Sequence, residues 1–218
     1  MPTGTITVVV EATPKKAFAR AIDWPGWARS GKTEALALES LAAYASRYAA
    51  AARAAGVTFK PVRYEVVERT GGGGGTDFGV PSAIADADRR PVTVADARRL
   101  AALVAAAWTL FDGVAATAPA ELRKGPRGGG RDREKMVGHV NESDGYYARE
   151  IGARQKQPDT SDRAAVETLR RAMLEVLGRP SDGTPLAERT WTARYAAARI
   201  AWHALDHAWE MEDRLTDA

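Results

Sequence analysis

Hydrophobic and polar residues follow two different patterns along this chain, and the change comes near residue 70. Before it, β-branched runs at residues 5–10 and 62–67 predict strands, and residues 17–22 predict the antiparallel partner of the first strand. Between these strands, apolar residues recur three and four positions apart over residues 34–53, which predicts one helix. Residues 1–70 are therefore expected to form a small ββαβ module.

Five consecutive glycines at residues 71–75 interrupt both patterns. Glycine has the greatest backbone freedom of any residue, so this run is not expected to belong to a regular element. Pro81 and Pro91 punctuate the stretch that follows. We predict a glycine-rich linker over residues 71–90.

After residue 90 the apolar positions recur with helical spacing. One helix is expected to start at Thr93 and Asp96, which have the spacing of a capping box, and to end before Pro119. Further helices are predicted over residues 133–151, from about 162 to 177, and over residues 186–215. Four helices of this length predict a four-helix bundle over residues 91–218. The expected fold class is α+β, and mostly α overall.

Composition narrows the possible functions. The 218 residues include no cysteine, which excludes disulfides, thiolate metal ligands and a cysteine nucleophile. The formal net charge is +3 with no concentrated basic stripe, which argues against a nucleic-acid partner. The longest apolar run among the predicted helices, residues 100–108, is much shorter than the roughly 20 residues of a membrane span, and the first residues do not resemble a signal peptide. We expect a cytoplasmic protein without a membrane partner.

Residues 26–33 match the phosphate-loop pattern G-x-x-x-x-G-K-[ST]. That motif binds phosphate when a buried strand leads directly into a glycine-rich loop at a helix N-terminus. Here Pro25 interrupts the approach, and bulky Trp27 and Arg29 lie within the loop. We therefore predict no nucleotide-binding residues, and interpret Thr33 as a helix cap and Gly26 as a turn residue.

The same stretch carries a resemblance. Two strands, Pro25-Gly26, and then Gly31-x-Thr33 at a helix start resemble the HicB-like antitoxin fold over about residues 5–68. This resemblance implies a small interaction module. A non-enzymatic protein, in which this module binds a protein or RNA partner and the helices act as a scaffold, is therefore an alternative function.

The chain has three histidines, and their spacing is the main chemical signal. His203 and His207 lie four residues apart and share one helix face, while His139 lies in the second long helix. Three neutral imidazoles from two helices could hold a divalent cation and leave a coordination position open. The alternative is a set of hydrogen-bonded core histidines. Residues close in sequence to them are candidates to orient an imidazole or contact substrate: Glu142, Asp144, Tyr146, Tyr147, Asp206 and Glu210.

One histidine in the second helix and His-x-x-x-His in the last resemble the DinB and YfiT-like metalloenzyme family over about residues 90–215. That family includes mycothiol-dependent maleylpyruvate isomerases and bacillithiol S-transferases. The resemblance implies that His139, His203 and His207 bind a divalent transition metal, with zinc or nickel expected first. It further implies a thiol-dependent S-transferase or isomerase that acts on a small-molecule substrate with a low-molecular-weight thiol as cosubstrate. Arginines of the loop at residues 123–133 could meet substrate carboxylates.

The last predicted helix has two apolar stripes, so it is expected to be buried on two sides. The histidine side is predicted to face the interior of the bundle. The aromatic side, which includes Trp191, Trp202 and Trp209, is predicted to pack on the N-terminal module or on a partner chain, which makes a homodimer one expected assembly.

Overall fold

The computed structural model describes residues 4–124 and 130–215. A four-stranded mixed sheet at the N-terminus is followed by helices, and the chain is 52% helical. The α+β fold class is therefore confirmed. The glycine-rich part of the predicted basic loop, residues 125–129, lies outside the described residues.

The sheet is built from β1 (Thr5–Ala12), β2 (Ala17–Ala21), β3 (Ala28–Gly31) and β4 (Arg63–Gly71) in the spatial order β3-β2-β1-β4. The predicted hairpin of β1 and β2 is confirmed, since the two strands pair antiparallel. β2 pairs antiparallel with β3, and β1 pairs parallel with β4.

The predicted ββαβ order missed one strand and one helix break. The four residues of β3 have little strand propensity of their own and are held by pairing with β2. The expected single helix divides at Tyr44 into α1 (Glu34–Ala43) and α2 (Ala45–Ala54). α1 packs on β2 and β3 whereas α2 packs on a later helix, so the chain bends to satisfy both contacts.

The segment that matches the phosphate-loop pattern forms part of the core. Residues 28–31 form β3 itself, and Thr33 caps α1 by accepting a hydrogen bond from the Leu36 amide. Trp27 is fully buried and donates its indole N–H to the Leu41 carbonyl at 3.0 Å. The backbone here pairs with a strand and does not form a loop around a phosphate.

The expectation that glycines 71–75 belong to no regular element is wrong. Gly71 ends β4, and α3 (Gly74–Phe78) begins directly afterwards. The Thr76 hydroxyl accepts a hydrogen bond from the Gly73 amide at 2.9 Å and donates one to buried Glu11 at 2.8 Å. This threonine supplies local order that the glycine count did not reveal.

The rest of the predicted linker is attached to the sheet. The Glu11 carboxylate also accepts hydrogen bonds from the amides of Ser82 and Ala83, at 3.1 and 2.8 Å. A short 3-10 helix, Asp86–Arg89, places Asp88 in a buried ion pair with Arg20 of β2. Whether residues 1–70 and 91–218 form separate domains remains a prediction, but a continuous apolar core extends from Ile6 to Met211.

Four long helices follow: α4 (Val94–Thr117), α5 (Arg133–Glu150), α6 (Arg163–Leu177) and α7 (Ala193–Asp213). α7 was expected to begin at residue 186, but a turn in which the Leu186 amide bonds to the Trp191 carbonyl comes first, and Thr192 caps the helix. α4 and α5 each pack against both α6 and α7.

By length and composition alone, α4 is apolar enough to cross a membrane. Its apolar stripe, however, is buried within the protein: Leu100, Val104, Trp108 and Phe111 are each at most 3% exposed. One side of α4 therefore packs in the core of the protein.

α7 lies between the sheet and the other long helices. Trp202 packs edge-on against Phe18 of β2, and Trp209 packs against Tyr44. Gly26, at φ +91°, approaches α7 so closely that a Cβ there would lie 2.7 Å from Leu205. The predicted packing of the aromatic face on the N-terminal module is confirmed for Trp202 and Trp209, whereas Trp191 packs on α5.

Candidate metal centre

The three histidines meet between α5 and α7. Their ring centroids lie 5.0 Å apart for His139 and His203, 5.1 Å for His139 and His207, and 4.7 Å for His203 and His207. One potential ligand atom from each residue lies within 4.8 Å of the other two. Residues 64 positions apart in sequence thus form a compact nitrogen-only cluster.

The closest approach within the cluster suits a shared cation. The Nε2 atoms of His139 and His203 lie 3.2 Å apart. Two imidazole nitrogens bound to one tetrahedral zinc at about 2.0–2.1 Å would be about 3.3 Å apart. Without a cation, the two nitrogens can share at most one proton in a hydrogen bond. Their separation fits two ligands of one cation at least as well as it fits that hydrogen bond.

Burial favours the neutral form of two of the imidazoles. His203 is 6% exposed, and desolvation, reinforced by neighbouring His207 and Arg199, lowers its pKa well below the ordinary value. Desolvation also lowers the pKa of His139, and the charge of Arg131 adds to this effect. Neutral imidazole is the form that donates a lone pair to a metal.

His207 is oriented from behind by a carboxylate. Its Nδ1 lies 2.8 Å from Glu210 Oε2, which leaves Nε2 to act as a ligand. Glu210 also accepts a hydrogen bond from Arg214 at 2.9 Å, and the bond to His207 lowers the pKa of its carboxyl group. A carboxylate behind a histidine is the usual support of a protein metal ligand.

His203 retains an unsatisfied group. Within residues 4–124 and 130–215, its Nδ1 is buried without a hydrogen-bond partner. A buried polar atom without a partner costs about 1–3 kcal/mol. This nitrogen lies on the other side of the ring from Nε2, so it is not the atom that would bind a cation shared with His139.

Two other predicted acidic residues lie near the cluster without contacting an imidazole. Asp206 forms an ion pair with Arg29 of β3 at 2.7 Å, which ties α7 to the sheet. Glu142 is exposed and lines the same open pocket as His139. Of the acidic candidates, Glu210 is the one hydrogen-bonded to a histidine in the described structure.

Asp144 is part of a different cluster. It is buried, accepts hydrogen bonds from Trp108 and Arg170, and burial raises its pKa to about 6. It thus faces α4 and α6, and its contacts there are structural.

The two adjacent tyrosines separate in the same way. Tyr147 is buried with its ring 5.7 Å from that of His203, and burial raises its pKa to about 12. Tyr146 is half exposed and contacts Arg149 and Tyr147 on the outer surface. Tyr147 borders the histidine cluster, whereas Tyr146 does not.

The cluster opens to solvent on the side of His139. An open pocket of about 580 Å³ is lined there by Arg131, Lys135, Gly138, His139, Glu142, Gln157, Pro158 and Thr160. Arg131, from the predicted basic loop at residues 123–133, lines this pocket. Its charge, with that of Lys135, favours an anionic group beside His139.

Sequence reasoning missed two arginines that act on the cluster. Arg214 caps the C-terminus of α7 four residues after Glu210, a spacing at which opposite charges pair, so it could have been found from the sequence. Arg199 lies four residues before His203 and stacks 4.7 Å from the Trp202 ring. No family model, curated protein or solved structure matches the chain, so the resemblances to the DinB-like and HicB-like families rest on sequence pattern alone.

Proposed function

We propose that this protein is a divalent-metal enzyme of the DinB-like type, with α4 to α7 as its four-helix bundle and His139, His203 and His207 as metal ligands. The observation that carries the proposal is the convergence of all three histidines of the chain on one point. Nitrogen-only ligands suit zinc, nickel, copper or iron, and zinc or nickel is the expected occupant.

The reaction we propose is thiol-dependent S-transfer or isomerisation of a small molecule. A bound divalent cation would lower the pKa of a coordinated thiol, so that sulfur attacks as thiolate at neutral pH. Glu210 holds His207 in the tautomer that leaves Nε2 free. Arg131 and Lys135 line the open side of the cluster, where they would attract an anionic thiol or substrate.

The first test is elemental analysis of the purified protein beside a His139→Ala, His203→Ala, His207→Ala triple variant. We expect about one transition metal per native chain and none in the variant. Glu142→Gln, which changes an exposed residue of the same pocket, is the control and should retain the metal. Native protein that holds no metal even after incubation with zinc or nickel would refute the metal centre.

The second test addresses the chemistry. Metal-loaded protein is assayed with low-molecular-weight thiols and small molecules; loss of free thiol is followed for S-transfer, and conversion of the small molecule is followed for isomerisation, in which the thiol is regenerated. We expect turnover that disappears in the triple variant. A metal-loaded protein that is inactive with every thiol would leave the metal centre standing and refute the S-transferase or isomerase assignment.

A further inference from the structure

A second charged cavity lies at the other end of α7. It has a volume of about 310 Å³, at the small end of the range of about 300–1,000 Å³ for ligand pockets. It is lined by Asp23, Arg90, Asp96, Arg99, Leu100 and Arg194. Arg194 and His203 are nine residues apart on α7, or about 13 Å along the helix axis, so this cavity is separate from the histidine cluster.

Positive charge exceeds negative charge in this lining. Three guanidinium groups face two carboxylates, and all of the lining residues except Leu100 are charged. Arginine stays protonated in proteins, so the excess is not removed by losing a proton. The lining carries a net charge of about +1 at neutral pH.

The two carboxylates are already occupied. Asp23 accepts hydrogen bonds from the Thr7 hydroxyl at 3.1 Å and from Arg194 at 3.0 Å, and Arg90 approaches the same carboxylate at 3.5 Å. Asp96 accepts hydrogen bonds from the hydroxyl and the amide of Thr93 at the start of α4. Neither carboxylate forms a hydrogen bond or ion pair with Arg99 among the described residues, and Asp96 also lies 3.7 Å from Arg194.

Arg99 has no carboxylate partner among the described residues. It donates to the main-chain carbonyl of Asp23 and lies 4.3 Å from the Trp24 ring centroid. Burial lowers its pKa; the nearby Tyr48, Asp23 and Asp96 oppose this effect, and the charge of Arg194 adds to it. A partly buried guanidinium whose neighbours include another cation is stabilised by an added anion.

Arg194 lines the same cavity and has one nitrogen without a partner among the described residues. It is 8% exposed, and its Nε is buried without a hydrogen-bond partner in the described ranges, although its two terminal nitrogens bond to Asp23 and to the Pro91 carbonyl. An unsatisfied nitrogen on a buried cation is costly to keep.

We propose that this cavity binds a small oxyanion, a phosphate or carboxylate group, between Arg99 and Arg194, with Arg90 at the rim. Guanidinium groups bind both kinds of oxyanion through paired N–H donors. Leu100 supplies the single apolar wall, so the ligand is a charged group with little hydrophobic surface. The site does not depend on the histidine cluster.

The test is calorimetric titration of the full-length protein with three probes: inorganic phosphate, glycerol phosphate and succinate, in chloride buffer of matched ionic strength. We expect the native protein to bind at least one probe. Preference for inorganic phosphate, for the phosphomonoester or for succinate identifies the source of the oxyanion. Absence of binding by all three would overturn the proposal.

The variants compare neighbouring arginines of α4. Arg99→Gln is expected to weaken binding about tenfold or more, because it removes a charged hydrogen-bond donor. Arg98→Gln, which changes an exposed residue, should bind like the native protein. Equal losses in the two variants would overturn the site.

Circular dichroism in chloride checks that Arg99→Gln is folded. If it is not, Arg90→Gln replaces it, since Arg90 lies at the rim with a side chain 41% exposed. Arg90→Gln is expected to lower the affinity for the most tightly bound probe about threefold or more. Unchanged binding by folded Arg90→Gln would contradict the proposal. The triple histidine variant should bind the probes as the native protein does.

Discussion

Helix α5 contributes to two buried polar clusters that differ in how fully their groups are bonded. Toward α4 and α6, Arg170 donates to Asp144 at 2.9 Å, to Asp112 at 2.9 Å and to Asn141 at 3.1 Å. Asp144 also accepts the indole N–H of Trp108. Each guanidinium nitrogen has a partner, which is the expected state of a polar network that holds helices together.

Toward α7 the polar groups are less well satisfied. The Nε2 atoms of His139 and His203 face each other at 3.2 Å, and Nδ1 of His203 has no partner in the described structure. Among the histidines, His207 alone has a carboxylate hydrogen-bonded to its ring within the part of the chain that the structure describes, and this carboxylate belongs to Glu210. The cluster toward α4 and α6 is therefore fully bonded at Arg170, whereas the histidine cluster keeps an unsatisfied nitrogen.

The largest effect is expected from breaking the saturated cluster. Arg170→Ala leaves Asp144 buried and unpaired, and should lower the free energy of unfolding by about 3–5 kcal/mol. Urea denaturation measures the loss. Arg171→Ala, at the exposed neighbouring position, is the control, with a change of about 0.5 kcal/mol or less. Similar values for the two variants would mean that the Arg170 network does not hold the helices together.

A smaller effect is expected from the carboxylate behind the histidine cluster. Glu210→Gln should lower metal affinity about 10- to 100-fold while the protein stays folded, because the amide orients His207 less strongly. Competition with a coloured chelator measures the affinity. Glu142→Gln should leave it unchanged, since Glu142 makes no hydrogen bond to a histidine in the described residues. The role given to Glu210 fails if the two variants behave alike.

The smallest effect concerns the pH dependence of stability in metal-stripped protein. The pKa values of His139 and His203 are lowered in the folded state, so the unfolded chain binds more protons as pH falls below about 6.5. The free energy of unfolding should therefore rise as pH increases toward about 6.5 and fall as pH drops, by about 1.4 kcal/mol per unit of pKa difference. Urea titrations across this range measure it.

The control for this measurement is a double variant, His139→Leu and His203→Leu, which should lose most of that slope. If the native protein and the double variant change in stability by the same amount between about pH 5 and 6.5, these histidines are not held neutral by burial; the comparison cancels the opposite contribution of Asp144, whose raised pKa both proteins share.

Local pattern was sufficient for much of the fold. The hairpin, the Thr93 cap and the four long helices follow from alternation, capping chemistry and apolar spacing. Local pattern failed at β3, which exists through pairing with β2, and at residues 71–90, which are ordered through distant Glu11 and Arg20. Elements of this kind depend on contacts between residues far apart in sequence, which periodicity does not record.

The candidate site divides in the same way. The i, i+4 spacing of His203 and His207 placed both on one helix face, and i, i+3 spacing brought Glu210 to His207. Spacing could not show that Asp144 faces the opposite cluster, that Tyr146 points to solvent, or that Asp206 is engaged by Arg29. The direction of each side chain depends on which helix packs on which side.

The sequence by itself determined the four long helices, the absence of thiolate ligands and the sharing of one helix face by two histidines, because these follow from residue identity and the 3.6-residue repeat. Tertiary structure alone decided that His139 meets them, that Arg99 and Arg194 share a cavity with too few carboxylates, and that Arg170 is saturated. Those outcomes depend on distances across the core, and packing fixes these distances only when the whole chain is folded.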